Sequence, residues 1–94
     1  MTDVTAQHSE RPAATASGSE LVAIVPKNKR EEIRVSLDLL NGIRLFNARV
    51  YFTAQDGTKR PGNAGIAFTV DKLEVFAEAV AMALVTAEKR GYVK

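Results

Sequence analysis

The dipeptide Asn41-Gly42 constrains the fold of this chain of 94 residues more than any other feature. Both residues tolerate the positive φ angles of a type I′ turn, and the pair is among the strongest signals for a two-residue β-hairpin. Residues 33–40 place an apolar side chain at every second position, which is typical of a strand with one buried face. Residues 43–52 carry apolar side chains at both odd and even positions, and therefore on both faces of the predicted strand. The sequence therefore predicts an antiparallel hairpin whose second strand is covered on both faces or bends through a bulge.

One further strand is predicted before this hairpin and one after it. Leu21–Val25 is a short apolar run ended by Pro26, which cannot donate a ladder hydrogen bond, and residues 27–32 form a polar loop. Asp56-Gly57 marks a second turn. The glycines of residues 61–65 then indicate a bend or bulge that opens a fourth strand at residues 66–69.

From about Val70 the apolar spacing becomes helical, and Gly91 is the natural end of the helix. The main apolar stripe contains Leu73, Phe76, Ala77, Val80, Leu84 and Ala87. We expect this stripe to cover the sheet. Additional apolar residues widen the surface beyond one face, namely Val75, Ala79, Met82, Ala83 and Val85. A helix with so narrow a polar side is expected at a helix–helix dimer contact, so Leu73, Phe76, Ala77, Val80 and Leu84 are the predicted interface residues.

Size and composition also favour a homodimer. Residues 1–20 contain no aromatic residue and show no apolar periodicity, so they are predicted to be a disordered tail before a domain at residues 21–94. A domain of about 70 residues is marginal for a single core. The chain has no cysteine, which excludes disulfides and thiolate metal sites, and its one histidine, His8, lies in the predicted tail. Association with a second copy is the remaining common way to stabilise such a domain.

Positive charge is concentrated in the predicted sheet. Residues 21–94 hold twelve of the thirteen Lys and Arg residues but only eight of the eleven Asp and Glu residues. The surplus lies on Lys27, Lys29, Arg30, Arg34, Arg44, Arg49, Lys59 and Arg60. Positive charge confined to one element suits a polyanionic partner. The carboxylates are isolated and no Ser or Thr has an adjacent base, so we expect no enzymatic activity and no cofactor.

The third predicted strand interleaves cations with aromatic residues: Arg44, Phe46, Arg49, Tyr51 and Phe52. Proteins that bind single-stranded nucleic acid combine such cations with flat side chains that stack on bases. The alternative, equally compatible with the residue types, is that Phe46 and Tyr51 belong to the core and the arginines line an ordinary solvated face.

A set of motifs in fixed order carries a resemblance to a known family. The motifs are Val35-Ser36-Leu37, Asn41-Gly42, Arg49-Val50-Tyr51-Phe52, Asp56-Gly57 and the segment from Arg60 to Phe68, which reads RPGNAGIAF. In this order, without a gap from Ile33 to Leu73, the sequence resembles bacterial-type members of the positive cofactor four family, the single-stranded-DNA-binding domain of a transcriptional coactivator.

This resemblance implies an α+β homodimer in which a four-stranded antiparallel curved sheet precedes one C-terminal helix. The helices and last strands would pack across the two-fold axis, and the sheets would form basic channels for unpaired strands. By position, Phe52 replaces a stacking tryptophan, and Arg49 and Arg60 match basic contacts. The sequence departs from the family pattern at four positions. Asp38, Asn63 and Ala64 stand where the pattern has a basic residue, and Leu40 stands where it has a stacking aromatic residue.

The expected function is binding of single-stranded or melted DNA with little sequence preference, in a transcription coactivator or regulator of a bacterial or phage cytoplasm. Arg34, Arg44, Arg49 and Arg60 are expected to bind phosphates and Phe52 to stack on bases, with Lys59 beside them. The hypothesis for Lys27, Lys29 and Arg30 is that they compensate for the missing charge. Two alternatives stay open: a dimeric module that recruits RNA polymerase or another transcription protein, and an RNA-binding protein. No membrane segment and no small-molecule substrate are expected.

Overall fold

The computed structural model describes residues 18–93 and contains one antiparallel sheet followed by one helix. The elements are β1 (Glu20–Pro26), β2 (Glu31–Leu40), β3 (Ile43–Thr53), β4 (Lys59–Thr69), a 3-10 turn (Val70–Lys72) and α1 (Leu73–Lys89). The strands pair in the order β1-β2-β3-β4, so every strand lies beside its neighbours in sequence. The predicted α+β class and the β-β-β-β-α order are confirmed. Within the described residues, no helix is long and apolar enough to cross a membrane.

The central hairpin forms as predicted. Asn41 and Gly42 have φ angles of 54° and 80°, and Leu40 pairs with Ile43 across the turn. β2 begins two residues earlier than expected, because Glu31 and Glu32 pair with β3 in the ladder instead of lying in the preceding loop. The loop between β1 and β2 is therefore shorter than the sequence indicated.

The N-terminal edge of the domain lies along β2. β1 begins at Glu20, one residue before the predicted domain start. The backbone N–H of Leu39 donates to the Gly18 carbonyl at 3.0 Å, and the Ser19 hydroxyl donates to Asp38 at 2.8 Å. The rest of the predicted tail, residues 1–17, lies outside the described residues.

β4 differs most from the sequence-based expectation. It starts at Lys59, not at Ile66, and its irregularity lies within the strand. Arg49 pairs with Gly65 and Tyr51 pairs with Pro61, so residues 62–64 together face Val50. β4 is an edge strand, where the missing N–H of a proline is tolerated, and a bulge absorbs the extra residues without ending the strand.

Gly65 is needed because two backbones approach closely at this bulge. A Cβ atom on Gly65 would lie 2.8 Å from the Ala48 carbonyl oxygen and 3.1 Å from the Arg49 Cα. At an open position, Gly→Ala stabilises a protein by about 0.4–1 kcal/mol. We expect Gly65→Ala instead to lower the free energy of unfolding in urea by about 1–3 kcal/mol, since overpacking must move backbone. Gly62→Ala, whose Cβ would lie 3.2 Å from the Val50 carbonyl oxygen, should cost less, and an equal cost would contradict this explanation.

The two faces of the sheet differ in chemistry. Side chains that pair across the ladder share a face, and they alternate along each strand. Ile33, Val35 and Leu37 of β2 pair with Val50, Ala48 and Phe46 of β3, which defines an apolar face. We call the opposite side the polar face; on β2 and β3 it carries Glu32, Arg34, Ser36, Asp38, Asn47, Arg49 and Tyr51.

The core of a single chain is very small. Phe46, at 8% exposure, is the only buried residue within residues 18–93. Its ring stacks on Phe68 at 5.0 Å between centroids, and Phe76 of α1 completes the cluster at 5.2 Å from Phe68. The helix thus meets the sheet only near its first turns.

Beyond Phe76 the expectation that the helix covers the sheet is wrong for a single chain. None of the residues Leu73–Lys89, all of which the structure describes, is buried. Gly91, with φ of 76°, ends the helix as predicted: the Tyr92 N–H donates to the Ala87 carbonyl and the Gly91 N–H donates to the Glu88 carbonyl. These two bonds form a Schellman motif.

Candidate nucleic-acid interface

Arg34 and Arg49 form the centre of the polar face. They pair directly across β2 and β3, where two like charges would repel each other unless other groups hold them. The Arg34 guanidinium carbon lies 4.3 Å from the centre of the Tyr51 ring, and its Nε donates to Glu32 at 2.7 Å. Arg49 Nη1 donates to the Gly62 carbonyl at 3.1 Å. Separate partners therefore hold the two guanidinium groups side by side.

Lys59 extends this row of cations to β4. It pairs with Thr53 in the ladder, and its ammonium donates to the Thr53 hydroxyl at 2.7 Å. The same ammonium lies 3.8 Å from Glu32. Arg34, Arg49 and Lys59 thus share the polar face with one aromatic ring.

Phe52 and Arg60 lie at one end of the apolar face, not beside those cations. They pair across β3 and β4, and Phe52 is 38% exposed. Arg60 Nη2 donates to Asp56 at 3.0 Å, and its Nε to the Thr58 hydroxyl at 3.3 Å. The pKa of Asp56 is lowered by hydrogen bonds from Thr58 and then from Arg60. Lys59 and Arg60 are consecutive, so at this end of the sheet one cation lies on each face.

The β1–β2 loop, Lys27–Arg30, lies at the same end. Asn28 Oδ1 accepts the backbone N–H groups of Arg30 and Glu31, and the Arg30 carbonyl accepts the Thr53 N–H at 2.9 Å. Lys27 donates to Glu31 at 2.8 Å, and this bond together with one from Asn28 lowers the pKa of Glu31. The loop is therefore attached to β3 close to Phe52.

Arg44 is separated from these groups. It lies on β3 opposite Leu39, beside the Asn41-Gly42 turn, eight positions before Phe52. At about 3.3 Å per residue, the two positions are about 26 Å apart. A single ligand could reach both only by running the length of the strand.

Asp38, one of the departures from the family pattern, has a structural role. Its carboxylate accepts the hydroxyls of Ser19 at 2.8 Å and Ser36 at 3.0 Å, and the Asn47 amide at 3.2 Å. A carboxylate with three donors joins β2, β3 and the residue that precedes β1. The position contributes to the sheet and carries negative charge into the face.

Two residues of this face were not predicted to be nucleic-acid contacts, although Tyr51 belongs to the interleaved pattern of β3. Tyr51 lies under Arg34, and Glu32 contacts both Arg34 and Lys59. The alternation of side chains along β3 could have placed Tyr51 on the same face as Arg49. Glu32 could not be placed this way, because the sequence indicated a loop at that position. Only the extended β2 ladder puts its carboxylate among the cations.

A four-stranded antiparallel sheet followed by a single helix, with cations across one sheet face, defines the class of this protein as a small β-β-β-β-α domain. Residues 27–79 match the family described as Transcriptional Coactivator p15 (PC4), and because this match spans more than half of the chain, the chain belongs to that family. The resemblance drawn from the sequence motifs is confirmed. No curated protein sequence matches the chain significantly.

Solved structures of related proteins share the fold. A PC4 homolog from Burkholderia pseudomallei has a TM-score of 0.64 at 23% identity over 74% of this chain and 95% of its own. A second crystal form gives 0.64 at 24% identity, over 70% and 97%. A bacteriophage T5 homolog of the eukaryotic coactivator, implicated in recombination-dependent DNA replication, has a TM-score of 0.54 at 14% identity, over 77% and 81%. The fold therefore occurs in bacterial and phage proteins.

Proposed function

We propose that this chain forms a homodimer that binds single-stranded or melted DNA with little sequence preference, as a transcription coactivator or regulator. The observation that carries the proposal is the row of Arg34, Arg49 and Lys59 on one solvated face, beside the Tyr51 ring. Cations at this spacing can follow a phosphate backbone, and contacts to phosphates carry no sequence information, so little sequence preference is expected.

The dimer part of the proposal is supported by apolar surface that a single chain leaves uncovered. The large exposed apolar side chains include Ile66 of β4 and Val75, Val80, Met82 and Leu84 of α1. So small a core cannot offset the conformational entropy of ordering the chain. A second copy, placing its helix against α1 and β4, would bury this surface while leaving the polar face free. The predicted interface residues Leu73, Phe76, Ala77, Val80 and Leu84 fit this arrangement.

The sheet end supplies the remaining proposed contacts. Phe52 would stack on a base, with Arg60 and the loop cations Lys27, Lys29 and Arg30 near the adjacent phosphates. Neither Lys29 nor Arg30 pairs with an acid among the described residues. Arg44 would bind a phosphate further along the same strand of DNA. The proposed setting is the bacterial cytoplasm, for a nucleoid-associated or phage-encoded protein, where the dimer would meet unwound DNA and RNA polymerase.

The test is fluorescence anisotropy with a labelled oligo-dT, its duplex and the matching RNA, at two salt concentrations. We expect salt-dependent binding that prefers the single strand, and about fivefold or greater loss for Phe52→Ala, since stacking contributes about 1–3 kcal/mol per base. Tyr92→Ala removes another exposed aromatic ring, beyond the C-terminal end of α1 and outside the sheet, and should bind like the parent.

Three results would contradict parts of the proposal. No binding of any oligonucleotide at low salt would reject the nucleic-acid site and favour a protein-recruiting dimer. Tighter binding of the RNA would reassign the ligand. Equal effects of Phe52→Ala and Tyr92→Ala would remove Phe52 from the site.

A further inference from the structure

Glu32 occupies the place on the polar face where a phosphate would be expected. Its two carboxylate oxygens contact different cations: Oε2 lies 2.7 Å from Arg34 Nε, and Oε1 lies 3.8 Å from Lys59 Nζ. The Glu32 side chain is only 17% exposed, so solvent screens these contacts less than it screens an ordinary surface pair.

The neighbouring ring holds this arrangement in place. Glu32 pairs with Tyr51 in the ladder, and the Arg34 guanidinium lies over the Tyr51 ring. Arg34 is therefore held between a carboxylate and an aromatic face. Lys59 is held by Glu32 and by the Thr53 hydroxyl. Two of the cations on the polar face thus share one carboxylate of the same chain, which offsets one of their two positive charges.

We propose that Glu32 is an internal competitor of the phosphate backbone and sets the affinity of the polar face for single-stranded nucleic acid. This inference rests on the proposed function. A phosphate that approaches Arg34 or Lys59 must displace the Glu32 carboxylate or bind beside its negative charge. The residue therefore keeps the affinity low and makes binding depend on how many other cations the ligand reaches at the same time.

The direct test is Glu32→Gln, which keeps the size of the side chain and removes its charge. We expect oligo-dT to bind about three- to tenfold more tightly in low salt. The log–log salt slope should become steeper by about 0.7, because removing one negative charge lets the face neutralise one more phosphate of a single strand. Glu32→Thr, with a strand-favouring residue, should show the same direction of change if Glu32→Gln folds poorly.

Two matched variants separate this local effect from net charge. Glu78→Gln makes the same charge change on α1, where Glu78 forms no ion pair with the described residues. Glu88→Gln makes this charge change near the end of α1, where Glu88 also forms no ion pair with the described residues. We expect each to change affinity less than twofold.

The outcomes are distinct. A parent that binds no oligonucleotide rejects the proposed function itself. A parent that binds, with Glu32→Gln equal to Glu78→Gln or weaker than the parent, rejects the role of Glu32 and leaves the nucleic-acid site standing. A gain confined to the Glu32 variants, with a steeper salt slope, supports the inference.

Discussion

Replacing Val80 with aspartate is expected to leave the chain monomeric and largely unfolded at micromolar concentration. Val80 lies in the middle of the apolar stripe of α1 and is 53% exposed in a single chain. If a second copy covers it, the substitution buries an unpaired carboxylate, which costs several kcal/mol. Domains of this size have about 5–15 kcal/mol of stability in total, and here much of it would come from the dimer contact.

Val85→Asp is the matched control for this prediction. Val85 belongs to the same helix, is 49% exposed, and lies among Glu74, Glu78 and Glu88 on the narrow polar side. A carboxylate there stays in water, so Val85→Asp should keep a dimer and cost less than about 1 kcal/mol. The measurements are sedimentation equilibrium and urea unfolding at several protein concentrations. A parent whose unfolding midpoint is independent of concentration, or equal effects of the two variants, would reject the dimer.

The double variant Arg34→Met, Lys59→Met is expected to lower affinity for oligo-dT by roughly a hundredfold at low salt. Hydrogen bonds that involve a charged group contribute about 1.5–3 kcal/mol each, and this variant removes two such donors. It also leaves the Glu32 carboxylate without partners on the binding face, where its negative charge repels the phosphates of the oligonucleotide. The salt slope should become shallower by about 1.4.

Lys89→Met, Arg90→Met is the control for the loss of two positive charges. Both residues lie at the end of α1 and take no part in the sheet. Their removal lowers the net charge equally, so it should change affinity only about twofold. Equal losses in the two double variants would mean that the whole positive field of the protein, not the polar face, attracts the nucleic acid.

Most of the fold was predictable because its signals are local. The Asn41-Gly42 turn, the alternation of residues 33–40 and the Gly91 helix end each depend on neighbouring residues, and all three are observed. The start of β4 was not predictable in this way. Pro61 and Gly62 resemble a strand break, yet pairing with β3 keeps them in an edge strand through a bulge.

The candidate site was predicted as a list of residues but not as a surface. The structure divides that list: Arg34, Arg49 and Lys59 share the polar face, Phe52 and Arg60 lie at the end of the apolar face, and Arg44 lies near the opposite turn. The interleaved cations and aromatics of β3 therefore do not form one continuous row. Phe46, one member of that pattern, is core.

The sequence by itself determined the order of the elements, the family and the excess of positive charge in the sheet. The element order and the charge follow from turn chemistry, apolar periodicity and composition, which act over a few residues, and the family follows from a resemblance of motifs in fixed order. Only the tertiary structure decided that Glu32 contacts Arg34 and Lys59, and that one chain leaves its helix uncovered. The physical reason is that strand pairing and helix placement bring together residues far apart in the chain, and the ladder register chooses which of them share a face.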